Sequence, residues 1–440
     1  MATKRPTSDS KLRAKAFMAA TAEQELEYTQ DVERWVQTAR AGGAVTFGEL
    51  LNVLPGVYPS TLLTIINKLQ VNEQVLSCPV GFDFDSSNFL ADEVPSNEQN
   101  RSVSLPLPHP LDYEWRFSHS ASEYIVESCM RFTKPTDSVV LLGAPSVLKC
   151  FVERSYPRRA MLIDENKALG TSFTSRGDFL RYDLLNDELP NVLGSVVVAD
   201  PPWYEQHTMG FLWAACKFCE IGGTVLLILP PVGTRPGVLA ERAHIFHWAS
   251  ELGLEHTRTE ESVITYISPL FEVNALRAES IQVPLDWRRA DLASFTYRQR
   301  IPIARPAVER DVVRWDETIL SSVRFRVRHE PEMAFRDPSL VRVIHGDVLP
   351  SVSSRDDRRK LAAVWTSGNR IYGCQGPRIL HFILDSLAKN IMPEHVVSEK
   401  LNSSLTNCEI SLIRKTVDQV LAVVTCEQGE QANYLASSPH

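Results

Sequence analysis

Ser195-Val196-Val197-Val198-Ala199-Asp200-Pro201-Pro202-Trp203-Tyr204 joins an apolar run to a carboxylate, two prolines and two aromatic rings. A valine-rich run of this kind suits a strand buried on both faces. The prolines fix the backbone and remove two N–H donors, so Asp200 and Trp203 are expected to be held rigidly at the strand's carboxyl end. That is the edge where open α/β sheets bind ligands. The chemistry that fits is transfer to a poor nitrogen nucleophile such as adenine N6, whose lone pair is delocalised into the ring. The Asp200 carboxylate and a proline carbonyl could accept the two amino hydrogens and favour a pyramidal, attacking nitrogen while Trp203 stacks on the base. A plain turn with Trp203 in the core is the alternative, and termination of the fourth strand in a series weighs against it.

Upstream, Val139-Val140-Leu141-Leu142-Gly143-Ala144-Pro145-Ser146-Val147 reads as strand, tight turn and helix start. This is where a methyltransferase lays the methionine part of S-adenosylmethionine (SAM). Twenty-one residues after Gly143, Met161-Leu162-Ile163-Asp164 ends the next strand in an acid, the position that accepts hydrogen bonds from a ribose. Phe179-Leu180-Arg181-Tyr182-Asp183 ends the third in another, placed for the cofactor's adenine amino group. Each acid alone is as often a cap or a surface residue, but their order on consecutive strand ends points to a SAM site.

The elements needed to position these groups are legible as alternating apolar and helical runs, the signature of a parallel sheet with crossover helices. Expected strands are Ser138–Leu142, Ala160–Ile163, Phe179–Tyr182, Ser195–Ala199 and Thr224–Leu229. Two further runs, Ser262–Ile267 and Glu272–Leu276, are too close for a crossover helix and are expected to pair antiparallel. Five parallel strands closed by such a hairpin make a class I methyltransferase, Rossmann-like α/β sheet.

Trp115-Arg116-Phe117-Ser118, Gly143-Ala144-Pro145-Ser146-Val147, Asp164 and Ala199-Asp200-Pro201-Pro202-Trp203 together resemble the family labelled probable N6-adenine methyltransferases. That family includes an elongation-factor lysine methyltransferase and a zinc-knuckle ribosomal-RNA adenine methyltransferase. The resemblance covers roughly Asp112–Glu279. It implies that Phe117 and Ser118 line the SAM pocket, that Gly143, Ala144, Pro145 and Asp164 hold the cofactor, and that Asp200, Pro201, Pro202 and Trp203 hold the acceptor. The zinc modules that flank the domain in that family have no counterpart here. Trp203 also matches the Asp-Pro-Pro-Trp of messenger-RNA adenosine methyltransferases, in which the motif precedes the SAM loop, whereas here it follows.

The flanks divide the chain further. Residues 1–22 read as a polar tail. Residues 23–95 read as a winged-helix-like domain: helix over Glu23–Arg40, short helix over Phe47–Leu54, a third capped at Pro59-Ser60-Thr61, then a hairpin over Val75–Phe82. Residues 96–110 form a Pro-spaced linker, and 111–284 the methyltransferase domain. Over 285–345, Arg288, Arg298, Arg305, Arg324 and Arg326 alternate with Trp287, Phe295, Tyr297 and Trp315, as in surfaces that hold phosphates and stack on bases. Interspersed Asp and Glu allow ordinary surface pairs instead. Residues 346–440 look like a small α+β domain. The expected partners are DNA or RNA, with a possible protein partner through the winged helix or the C-terminal domain.

Composition bounds the rest. A net charge of −8 argues against a surface that grips long duplexes unspecifically, so nucleic acid must be held locally. No run approaches the ~20 apolar residues of a membrane helix, the start is polar, and the eight cysteines lack a disulfide framework, so a cytoplasmic protein with no membrane contact is expected. Cys216-Lys217-Phe218-Cys219 has zinc-knuckle spacing but no second pair nearby, which favours buried thiols over a metal site. Pro230-Pro231-Val232-Gly233 lacks an acid and reads as the loop after the fifth strand. Three functions stay open: an adenine-N6 methyltransferase, a protein lysine methyltransferase, and a methyltransferase-like scaffold subunit without turnover.

Overall fold

The computed structural model describes residues 8–69, 103–173, 178–308 and 313–437. Three helices come first: α1 (Ser8–Ala41), α2 (Phe47–Val53) and α3 (Pro59–Lys68). α2 begins with a capping box, Thr46 Oγ1 accepting from Glu49 N at 3.2 Å and Glu49 Oε2 accepting from Thr46 N at 2.8 Å. Proline at the first position starts α3. Val32, Val36, Phe47, Leu50, Leu62 and Ile66 form their shared core, which continues onto Leu276, Ile281 and Trp287 of the next domain. The hairpin expected over Val75–Phe82 lies outside the described residues.

The central domain follows as β1 (Arg116–Phe117), α4 (His119–Arg131), β2 (Ser138–Leu142), α5 (Pro145–Glu153), β3 (Arg159–Asp164), α6 (Gly170–Phe173) and β4 (Phe179–Arg181). It continues with β5 (Gly194–Ala199), α7 (Glu205–Phe218), β6 (Cys219–Leu229), α8 (Val238–Glu251), β7 (Leu254–Ile267), α9 (Leu270–Ala278) and β8 (Arg289–Tyr297). One sheet runs in the order β1-β7-β8-β6-β5-β2-β3-β4. β4, β3, β2, β5 and β6 are parallel, and β8 inserts antiparallel between β6 and β7. This is the Rossmann-like order of class I methyltransferases. Buried Val and Leu on both faces of β2 and β5 feed two core layers, one under α4 and α5 and one under α7 and α8.

The five parallel strands stand where the sequence puts them, but the closing hairpin does not. Ser262–Ile267 is the end of β7, whereas Glu272–Leu276 lies inside the helix α9. Leu270, Phe271, Ala275 and Leu276 recur at helical spacing and are all buried, and Pro269 starts the helix, so period 3.6 prevails over the short apparent strand. The antiparallel partner is β8, in the Arg-rich segment placed beyond the methyltransferase domain, so the sheet runs on past Pro284.

A second sheet follows, built from β9 (Trp315–Leu320), β10 (Val323–Arg328), β11 (Val341–Arg342), β12 (Val364–Thr366) and β13 (Ile371–Gly373) in the antiparallel order β11-β13-β12-β10-β9. The helices α10 (Pro377–Ala388), α11 (Pro393–Leu401) and α12 (Asn407–Ser437) complete the chain, and α10 and α12 pack on this sheet through Leu380, Leu384, Val420 and Val424. No helix among the described residues is long and apolar enough to cross a membrane.

Candidate active site

The strand ends deliver their residues to one edge. At the end of β2, Gly143 takes φ +68°, and a Cβ there would stand 2.9 Å from the Asp200 carbonyl, so only glycine lets the β2 and β5 ends approach this closely. Ala144 is the N-cap of α5 and Pro145 its first residue, which turns the chain straight into the helix. Ser146 Oγ, in that first turn, is buried without a partner among the described residues.

Asp164 ends β3. Its Oδ1 accepts from Asn166 N at 2.7 Å, and enclosure by protein, reinforced by the nearby Glu114, pushes its carboxyl up to about 8. Asn166 Nδ2 donates to Glu114 Oε2 at 3.0 Å and, at 3.4 Å, to Asp112. Asp112 in turn meets Arg324 at 2.7 Å and also Arg326, both on β10, and Glu317 closes the network on the same two guanidiniums. The second sheet therefore braces the loop that carries Asp164.

Asp200 lies on the floor of a cavity of about 440 Å³ whose walls include Gly143, Trp115, Trp203, Tyr204 and Tyr266. The Tyr266 hydroxyl donates to Asp200 Oδ1 at 2.5 Å. Burial raises both groups well above their ordinary values, and the hydrogen bond from Tyr266 offsets part of the rise at Asp200. Trp203 meets the Tyr266 ring edge-on at 5.7 Å, and the Arg288 guanidinium lies between Trp203 and Trp115, 5.1 and 4.9 Å from their ring centres. Arg288 is fixed there by the fully buried Glu272 at 2.5 Å, which also accepts from Trp115 Nε1 at 3.1 Å.

The structure thus brings Gly143, Asp200, Pro201, Pro202 and Trp203 to one cavity, with Asp164 at the neighbouring strand end. Asp183 follows β4, and its carboxylate accepts from Leu185 N and Asn186 Nδ2, both at 2.9 Å, within its own turn. Phe117 is buried 4.8 Å from Tyr266, and Ser118 caps α4 by accepting from Ala121 N at 3.1 Å. Cys216 and Cys219 are buried thiols, each pushed up to about 12 by desolvation.

Several wall residues carry no signal in the sequence. Tyr266 falls in a recognised strand without a motif. Tyr58, Ser60 and Thr61 come from the start of α3, and Pro350, Ser351, Val352, Ser353, Arg355 and Arg358 from the loop before β12. Trp115 adjoins the Arg-Phe-Ser motif and Tyr204 follows Trp203, so both could have been reached from their neighbours.

No protein-family profile matches the chain, and no curated protein is significantly similar to it. Solved structures are similar to it. A mutein of the branched-chain polyamine synthase of Thermus thermophilus, in complex with N4-aminopropylspermidine and 5′-methylthioadenosine, is 16% identical over 67% of this chain and 96% of its own, with a TM-score of 0.47. A TehB-like SAM-dependent methyltransferase of Corynebacterium glutamicum is 9% identical over 41% of this chain and 89% of its own, with a TM-score of 0.29. A geranyl diphosphate C-methyltransferase of Streptomyces coelicolor, in complex with S-adenosylhomocysteine, is 11% identical over 40% of this chain and 80% of its own, with a TM-score of 0.27.

Proposed function

We propose that the chain is a SAM-dependent methyltransferase whose acceptor is N6 of adenine in DNA or RNA. The observation that carries this reading is the Asp200 carboxyl group, tethered by Tyr266 through one oxygen, on the floor of the cavity that also receives the Gly143 turn. The residues fit the cofactor: the Gly143 turn lines the cavity beside Asp200, Ser146 Oγ is buried without a partner among the described residues, and the Asp164 carboxyl ends the adjacent strand. Gly143, Ala144 and Pro145 would hold the methionine part and Asp164 the ribose. When bound, SAM supplies an electrophilic methyl group.

Asp200 Oδ2 and the Pro201 carbonyl accept the two N6 hydrogens, which localises the nitrogen lone pair and aims it at the methyl carbon. Transfer to N6 would release one proton, which the Asp200–Tyr266 pair, its affinity for protons raised by burial, would take up. Trp203, with Arg288 against its ring, flanks the base.

Incubation with labelled SAM and separate DNA, RNA and protein pools tests the reading. N6-methyladenine in an oligonucleotide treated with the wild type, and none with Asp200→Ala, is the expected result. Label in protein alone favours the lysine alternative, and SAM binding without transfer to any pool favours the scaffold.

A further inference from the structure

The loop after β6, Pro230-Pro231-Val232-Gly233, leads into a residue that the transfer chemistry leaves unused. Arg235 donates through Nη2 to the Trp203 carbonyl at 2.8 Å and to Glu241, while its Nε is buried with no partner among the described residues. A second guanidinium arrives from the C-terminal domain. Arg355 reaches the other oxygen of the same Glu241 at 3.7 Å, and its loop rests on the site through a hydrogen bond from Ser354 N to the Tyr204 hydroxyl at 3.2 Å.

Two guanidiniums that both line the cavity therefore share one carboxylate. Other acids stand close by and have partners of their own. Glu205 accepts from or pairs with His244 at 2.9 Å, and Glu279 on the cavity wall faces Arg358, which is held by Asp356 at 2.6 Å. Arg235 is largely buried and fixed, whereas the Arg355 side chain is 61% exposed. A planar fork with unpaired donors beside a stacking platform matches a phosphate group better than any other common anion of this reading.

We infer that Arg235 and Arg355 form a phosphate subsite for the acceptor, binding the phosphate next to the target nucleoside while its base lies against Asp200 and Trp203. The inference rests on the adenine reading above and sharpens it: the acceptor must carry a phosphate, and half of its anchor belongs to the C-terminal domain.

The test measures equilibrium binding of adenosine 5′-monophosphate, adenosine 3′-monophosphate, adenosine and ribose 5-phosphate to the full chain and to its Arg355→Gln variant, whose thermal unfolding confirms that the fold is kept. The expected result is at least one monophosphate bound tenfold or more tighter than adenosine by the wild type, with the preference gone in Arg355→Gln. Equal binding of all three adenine compounds by the wild type would overturn the subsite and leave the adenine reading standing. So would a preference unchanged in Arg355→Gln. Ribose 5-phosphate bound by the wild type and lost in the variant, with adenosine unable to compete, would keep the subsite and remove the adenine reading.

Discussion

The donor side and the acceptor side of the cavity are built by different means. On the proposed donor side, Gly143, Ala144, Pro145 and Asp164 come from two adjacent strand ends, and Asp164 has in addition the brace through Asn166 and Asp112 to the second sheet. On the acceptor side, Asp200 is the sole strand-end residue. Its surroundings are Tyr266 from β7, Trp115 from before β1, Arg288 from before β8, Tyr58 from the start of α3 and Arg355 from the loop before β12. A site read from local order survives change in its flanks, whereas one assembled from five distant segments depends on every contact between them.

The largest expected effect strikes the brace between the two sheets. Arg324→Ala removes a guanidinium whose side chain is 1% exposed and leaves Asp112 and Glu317 buried without it, a change that typically costs about 3–5 kcal/mol. Denaturant unfolding should show that loss, and SAM affinity should fall with it because Asp112 supports Asn166 and, through it, Asp164. Loss of stability with SAM affinity intact would show that the donor side stands alone.

Asp164→Ala should weaken SAM by ~1–3 kcal/mol, the usual value of hydrogen bonds to a charged group, in calorimetric titration. Unchanged affinity in a folded variant would move the cofactor elsewhere. The same residue gives the comparison a pH axis. With its folded value raised to about 8, Asp164 is still protonated in the native chain over a range where the unfolded chain has lost the proton. Its contribution to the stability of the ligand-free protein is present in full below the unfolded value near 4 and is lost as pH rises toward 8. A ribose that donates hydrogen bonds to the carboxylate favours the ionised form, so SAM affinity should rise over the same interval, with proton release detectable in buffers of different ionisation enthalpy. Asp164→Asn should flatten the profile.

The smallest effect separates cap from pocket. Ser118→Ala should cost about 1 kcal/mol of stability through the lost N-cap of α4, while SAM affinity stays as in the wild type. A marked loss of SAM affinity without loss of stability would place Ser118 in the pocket, as the family resemblance implies.

This contrast also explains what the sequence discloses. The parallel strands and their acids are legible because a strand buried on both faces must be apolar and must end where polarity returns, as at Ala199-Asp200. Glu272–Leu276 reads as a strand because five residues hold less than two turns of α9, too short a window for its period, and β8 escapes the pattern because Arg289 and Asp291 interrupt an otherwise apolar run. Tyr266, Arg288 and Arg355 were out of reach for another reason. Their roles arise from contacts across 66, 85 and 114 residues to Asp200, Trp203 and Glu241, and such partners leave no local pattern.

The seat of α12 on the second sheet has a consequence for how the protein is made. Glu427, fully buried, accepts from Thr366 and from Gly368 N, and Arg370 pairs with Glu430 at 2.6 Å, while Asn274 of α9 donates to Glu430 and to the Gly368 carbonyl. On the ribosome, the strand ends that carry Gly143, Asp164 and Asp200 emerge long before residues 427–430. A nascent chain can therefore form these strand ends early, yet α9, which carries Glu272, lacks its contacts to α12 until the last helix is released. The wall that holds Arg288 through Glu272 is thus completed last, an order of maturation written into the distance between β5 and α12.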